Sequence, residues 1–181
     1  MSLTTGFEVR PLSKSDRPRV AEILRSTENF REEEVDVALE LFDESFAGDD
    51  YVFLGAFKLA ADDSADGRWL MADGFCCYGP SMSTDRTFDL YWIAVDRAAQ
   101  GTGCGSVLLA EVERRLEALH ARMLVIETSS RSDYTATRSF YLRRGYVEAA
   151  RVREFYAPSD DRIILTKRLA GSPREGWGAV A

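Results

Sequence analysis

The stretch Gln100-Gly101-Thr102-Gly103-Cys104-Gly105-Ser106 separates two segments of different periodicity. Before it, Thr87 to Val95 (TFDLYWIAV) is a strongly apolar, β-prone run, which predicts a central strand. After it, Leu108, Leu109, Val112, Leu116 and Leu119 recur at the spacing of an amphipathic helix. The glycines therefore sit at a strand-to-helix turn. A helix start presents several backbone N–H groups with no internal partner, and the macrodipole adds partial positive charge, so such a turn is an anion site. Glycine admits the positive φ angles of an anion nest and lets a bulky diphosphate approach the main chain.

Known phosphate loops narrow the reading. A P-loop needs a lysine after its second glycine, and none is present. A dinucleotide fingerprint needs GxGxxG at the head of repeated βαβ units. Here the third glycine falls one residue early, and the chain offers a single such unit, in mid-chain. By spacing alone, a merely flexible turn and a cradle for some diphosphate both stand.

Outward from this turn, local signals give an element order. Phe7 to Leu12 alternates as a first strand. Ser15 and Asp16 offer an N-cap to a helix with Pro18 in its first turn and Val20, Ile23 and Leu24 as its apolar stripe. Asn29 is the expected cap of a second helix carrying Val35, Ala38, Leu39, Phe42 and Phe46, with Glu32, Glu33 and Glu34 near its positive end, and Gly48-Asp49-Asp50 ends it. Tyr51 to Ala61 and Arg68 to Tyr78 read as a hairpin around the turn cluster Asp62 to Gly67, with Gly79-Pro80 as a strand break. Beyond the glycine-loop helix, Arg122 to Thr128 reads as a buried strand. Tyr134 to Arg144 reads as a short helix stopped by Gly145. Tyr146 to Tyr156 and Asp161 to Leu169 read as two strands around the turn Ala157 to Asp160. The order β-α-α-β-β-β-α-β-α-β-β predicts an α/β (α+β) fold: one mixed sheet of about seven strands with helices on both faces, parallel only where the βαβ crossover runs.

The 181 residues suit a single domain, expected over residues 1–169, with Ala170 to Ala181 a Gly- and Pro-containing tail expected to be poorly ordered. Charged residues are 29% and the net charge is -7, which argues against nucleic acid or an anionic membrane as partner. No apolar run is long enough to span a bilayer, and the N-terminus has no signal pattern. Three cysteines without a CxxC pair and a single histidine predict a reducing, cytoplasmic setting and no metal site. Cys76 and Cys77, being adjacent, should point to opposite faces of a strand.

The wider motif goes further than the glycines. Gln100, Gly103 and Gly105 resemble the signature Gln/Arg, two residues, Gly, one residue, Gly/Ala of the GNAT family of N-acetyltransferases, and Phe140-Tyr141-Leu142-Arg143-Arg144-Gly145-Tyr146 resembles that family's FYxxxGF segment. The resemblance covers roughly residues 6 to 169. It implies acetyl-CoA as co-substrate, with the pyrophosphate on the backbone of Gln100, Gly101, Thr102, Gly103, Cys104, Gly105 and Ser106. It implies pantetheine in a gap between diverging strands, against the main chain of Ile93, Ala94 and Val95. The family's usual reaction is direct attack of a primary amine on the thioester in a ternary complex. Its acceptors range from small amines to protein N-termini and lysines, and its members are often dimers, so a homodimer falls within the expectation. Rival readings are a non-catalytic acyl-CoA sensor and a protein that holds another nucleotide diphosphate on the same loop.

Two proton tasks follow: the amine must lose a proton and the departing thiolate must gain one. Tyr141 matches the family tyrosine that faces the sulfur; the alternative is an aromatic core residue. For the base, Glu127 and Asp89 each interrupt an apolar run, where a carboxylate must be solvated, paired or functional. A water chain is the other route. His120 stands ~21 Å from Ser106 along the intervening helix, too far for a hydrolase triad. Cys104 reads as a small filler beside the phosphate site. The family's common asparagine is replaced by Tyr134 and an alanine by Thr137, so Tyr134 is a candidate for either the cofactor or the substrate mouth. Arg138 and Arg143 are candidates for CoA phosphates. Glu154, Phe155, Tyr156, Asp160 and Asp161 form an acidic, aromatic patch that would suit a cationic amine or be a plain solvated turn.

Overall fold

The computed structural model describes residues 6–48, 50–59 and 71–170. The cluster Asp62 to Gly67, the start of its returning strand and the tail from residue 171 lie outside the described residues. Among the described residues, seven strands and four α-helices follow the expected order: β1 (Phe7–Pro11), α1 (Arg17–Ser26), α2 (Glu32–Glu44), β2 (Val52–Lys58), β3 (Ala72–Pro80), β4 (Thr87–Val95), α3 (Cys104–Ala118), β5 (Met123–Ser129), α4 (Thr135–Leu142), β6 (Val147–Ala157) and β7 (Asp160–Arg168). They form one sheet in the order β1-β2-β3-β4-β5-β7-β6. The β4–β5 pair, joined by the α3 crossover, is parallel and every other pair antiparallel.

Two apolar layers sandwich the sheet. One holds Val20, Ile23 and Leu24 of α1 and Val35, Ala38, Leu39 and Phe42 of α2 against Phe53, Phe57, Phe75 and Cys77. The other packs Leu108, Leu109, Val112 and Leu116 of α3 and Tyr141 of α4 against Leu54, Cys76, Leu90, Leu124, Ile126, Ile163 and Leu165. Cys76 and Cys77 face opposite layers, as strand alternation requires.

Three local expectations are corrected. The second helix is capped at Arg31, not Asn29: the Glu34 carboxylate accepts the Arg31 N–H at 2.9 Å, while the Asn29 carbonyl accepts the Tyr134 hydroxyl at 3.4 Å. That helix stops at Glu44, before Gly48. Gly79-Pro80 does not break β3, because Ser81 N–H bonds to the Thr87 carbonyl at 2.9 Å and so leaves Pro80 opposite Phe88 in a pair that uses no N–H. Gly79 is needed there, since a Cβ would stand 2.1 Å from the Asp50 carbonyl oxygen.

Candidate active site

The site begins with a defect in pairing. Along β3, Cys77 opposes Trp92 but Tyr78 opposes Leu90, so Tyr91 is an extra residue on β4, a β-bulge. The bulge reverses the strand's facing: Leu90 points into the α3 layer, whereas Trp92 packs with the α1–α2 layer. It also bends β4. Parallel pairing with β5 runs from Thr87–Met123 to Leu90–Ile126 and ends there, while β5 stays paired to β7 as far as Ser129. Residues 91–95 of β4 and 127–129 of β5 thus border a split in mid-sheet.

The split leaves main chain unpaired. Asp96 N–H bonds to the Asp73 carbonyl at 2.8 Å, which sets the alternation along β4. By that alternation Ala94 directs its polar groups at β3, while Ile93 and Val95 direct theirs into the split. The Val95 carbonyl meets Gln100 Nε2 at 3.5 Å. Thr128, on the α3–α4 side of β5, is 6% exposed, and its hydroxyl has no partner among the described residues. A buried hydroxyl left this way costs about 1–3 kcal/mol unless a ligand satisfies it.

The glycine loop closes one end of the split. Arg19 of α1 fixes its approach, donating to Asp96 and to the Ala72 carbonyl at 2.8 Å each, so the end of β4 and the start of β3 are held together. Asp96 then caps the turn Arg97–Ala99 through Ala98 N–H at 2.9 Å. Gly101 and Gly103 take φ of 77° and 94°, the left-handed region, and Gly103 is the N-cap of α3. Thr102 folds its hydroxyl back on the Ala99 carbonyl at 2.6 Å. The N–H groups of Gly101, Gly103, Cys104 and Gly105 donate to no acceptor among the described residues. Four amides gathered at a helix start form an anion cradle beside the split. The Cys104 side chain turns inward at 1% exposure, and burial pushes its thiol up to about 12, so it is a packed filler and not a nucleophile.

Helix α4 borders the same end. Arg144, past its C-terminus, donates to the Ser106 hydroxyl and to the Phe140 carbonyl at 2.8 Å, and stacks 3.7 Å over the Phe140 ring. Burial is the main cause holding its pKa below the ordinary guanidinium range, with Arg143 next. This bridge from α4 to the cradle was not foreseen in sequence; its one signal was a second arginine inside the FYxxxGF-like segment. Arg138 lies at the opposite end of α4, where Nη1 donates to the carbonyls of Ser129 and Arg131 at 2.7 and 2.9 Å.

Tyr141 is 2% exposed, packed against Phe140 and Tyr146 at ring distances of 5.1 and 5.5 Å. Its hydroxyl has no hydrogen-bond partner among the described residues. Burial, then the nearby Cys76, raises its pKa well above the usual phenol range, so the phenol stays protonated. Glu127 is the first β5 residue beyond the last β4–β5 pair, on the face opposite Tyr141, and is hydrogen-bonded by Arg162. Asp89 stands before the bulge, paired with Val125 and bonded by the Ser81 hydroxyl. Tyr134 caps α4 and reaches Asn29 in the α1–α2 connection, away from the glycine loop.

Residues 56–148 match the acetyltransferase (GNAT) domain family. Among solved structures, a GNAT-family protein from Desulfovibrio desulfuricans is 37% identical, with TM-score 0.79 over 91% of this chain and 99% of that one. The ribosomal-protein-S18-alanine N-acetyltransferase of Escherichia coli shares the fold at 20% identity and TM-score 0.71, over 94% of this chain and 99% of that one. Arabidopsis thaliana NAA60, solved with acetyl-CoA, does so at 18% identity and TM-score 0.72, over 91% and 99%. No curated protein matches the chain.

Proposed function

We propose, from the premise that the chain belongs to the GNAT acetyltransferase family, that it transfers an acetyl group from acetyl-CoA to a primary amine by direct attack in a ternary complex. The observation that carries this reading is the split beyond Leu90–Ile126, opening onto the unpaired amides of Gly101, Gly103, Cys104 and Gly105. An extended chain with a diphosphate at one end is the ligand such a slot and cradle fit. NAA60, which shares the fold, was solved with acetyl-CoA. In this reading the loop from Gln100 to Ser106 holds the pyrophosphate, with Arg144 adding positive charge. The main chain of Ile93 and Val95 and the Thr128 hydroxyl take the polar groups of the pantetheine arm. When bound, acetyl-CoA supplies the activated acyl thioester.

The rest belongs to the chain's own residues. Tyr141 and Glu127 lie on opposite faces of the sheet, and the split is the passage between them. Glu127 takes the proton of an amine entering from the open face, while Tyr141 donates one to the developing thiolate on the α3–α4 side. Three free, buried thiols support a reducing, cytoplasmic setting. We also read residues 1–169 as one domain.

The test combines binding and turnover. Saturating acetyl-CoA should raise the melting temperature by several degrees, as mass action on the native state requires. An amine panel should then release free CoA thiol. An unchanged melting temperature rejects the cofactor; stabilisation without thiol release from any amine favours the sensor reading.

A further inference from the structure

The chemistry above gives no role to Arg162, which stands on β7 beside the split. Among the described residues, two buried side-chain polar atoms have no hydrogen-bond partner: the Thr128 hydroxyl and Arg162 Nε. Thr128 pairs with Ile163 and Ser129 with Arg162, so both atoms belong to the stretch where β5 runs on without β4. Ile163 packs into the α3–α4 layer, and alternation therefore turns Arg162 to the open face. Glu127 is on that open face too. It lies diagonal to Arg162 across the β5–β7 pair, a spacing within reach of long side chains.

Two contacts fix the guanidinium. Nη2 donates to Glu127 Oε1, and the guanidinium carbon lies 4.8 Å over the Phe155 ring of β6. A planar cation between a carboxylate and an aromatic face is held in one orientation. Glu127 Oε2 accepts no hydrogen bond among the described residues, so one carboxylate oxygen is anchored and the other is open. The neighbouring carboxylates have donors of their own: Asp89 has Ser81, Asp160 has Ser129 and Asp161 has Arg151. Stability does not account for an arginine here. The Glu127 and Arg162 side chains are 43% and 27% exposed, so their ion pair is partly screened. The buried Nε–H with nothing to accept it opposes folding. Val152, opposite on β6, and Ile164, next along the same face of β7, are apolar and would pack as well with an apolar side chain.

The position gives the pair its meaning, since Glu127 is the first β5 residue beyond the last β4–β5 pair. Accepting the acetyltransferase reading above with Glu127 as base, on which this rests, we infer that Arg162 is a positioning residue for proton removal. Anchored on Phe155, it holds one oxygen of the Glu127 carboxylate at the edge of the split, and the amine proton passes to the other, Oε2. A glutamate side chain left free samples many rotamers. Holding it in one raises the share of encounters in which base and amine meet in line.

The test compares Glu127→Gln, Arg162→Met, Arg162→Lys and the double variant Glu127→Gln/Arg162→Met, using the amine that releases most CoA thiol. Glu127→Gln examines the base by itself and should lower kcat roughly a hundredfold. Undiminished turnover there removes the base, and this inference with it. Arg162→Met should lower kcat roughly tenfold, the scale of a misplaced catalytic group, with KM for acetyl-CoA and calorimetric CoA affinity within a factor of about two. Its urea midpoint should hold or rise, because a buried unmatched donor is gone. Arg162→Lys keeps the charge without the planar fork and should recover part of the loss. Phe155 is 51% exposed, so Phe155→Leu should fold normally and show a smaller fall in kcat of the same kind. In the Glu127→Gln background Arg162→Met should lower kcat no further, since there is no base left to hold. Wild-type kcat in Arg162→Met overturns the inference, as does a loss that adds in full to that of Glu127→Gln. A urea midpoint that falls in both Arg162 variants overturns it too, by making the residue structural.

Discussion

Leu90 and Ile126 are the last residues to pair across β4 and β5, and the next residue of β4, Tyr91, is the bulge that parts the strands. A single unpaired residue thus converts a continuous sheet into one with a slot through its middle. The same bulge decides which face each later β4 side chain meets, and it leaves the main chain of Ile93 and Val95 free for a ligand.

The cradle depends on backbone shape more than on side chains. Gly103→Ala forces a Cβ into the left-handed region at φ 94° and should cost about 1 kcal/mol of stability, with a clear fall in acetyl-CoA affinity. Gly105→Ala should change both little, because its Cβ would meet nothing closer than Val95 Cγ2 at 3.5 Å. Equal effects of the two substitutions on a CoA titration would remove the cradle's special geometry.

Close packing under the loop is a separate requirement. A Cβ on Gly74 would stand 2.8 Å from Cys104 Sγ and 2.9 Å from the Ala94 carbonyl oxygen. Gly74→Ala should destabilise by about 1–3 kcal/mol, the usual cost of overpacking. Adding Cys104→Ala should recover part of this and leave the backbone clash. Chemical denaturation of the two single variants and the double variant measures the coupling, which should differ from additivity.

Tyr141→Phe separates donation from packing. The ring stays buried and no hydrogen bond is lost among the described residues, so stability should hold or rise slightly. Turnover should fall roughly a hundredfold, the scale of one lost general acid, while acetyl-CoA affinity stays within a factor of about two. Steady-state kinetics beside a binding isotherm checks both. Undiminished turnover would return Tyr141 to the core.

Stability should fall at alkaline pH. Burial pushes the thiols of Cys76 and Cys104 up to about 12, and raises Cys77, Tyr141 and Tyr146 further. In the unfolded chain thiols ionise near ~8.5 and phenols near ~10. Above those values the unfolded state binds fewer protons than the native state, so the stability these groups contribute is complete below about pH 8.5 and is lost progressively as pH rises toward 12. Each fully engaged group adds about 1.4 kcal/mol per pH unit to the slope. Urea midpoints that stay level between neutral pH and about pH 10 would contradict this.

Much of the molecule is written in local pattern. The alternation of Phe7 to Leu12, the helical stripe of Leu108, Leu109, Val112 and Leu116, and the glycines at 101 and 103 act through neighbours a few residues away. Element order, the parallel crossover and the cradle were legible for that reason. So were Cys76 and Cys77 on opposite faces, a consequence of strand period alone. The cap at Arg31 was not, because arginine is not a cap-forming residue type; the Glu34 carboxylate closes that helix start by accepting the Arg31 N–H.

The sequence by itself therefore determined the sheet, its crossover and a glycine-rich helix start with unpaired amides, since each rests on backbone dihedrals and side-chain period. Tertiary structure alone decided where the sheet opens and what surrounds the opening. The bulge at Tyr91 exists because β3 and β4 pair with one residue out of step, which no window on either strand reveals. The Thr128 hydroxyl is left buried without a partner among the described residues because β4 has already turned away from β5 beyond the Leu90–Ile126 pair.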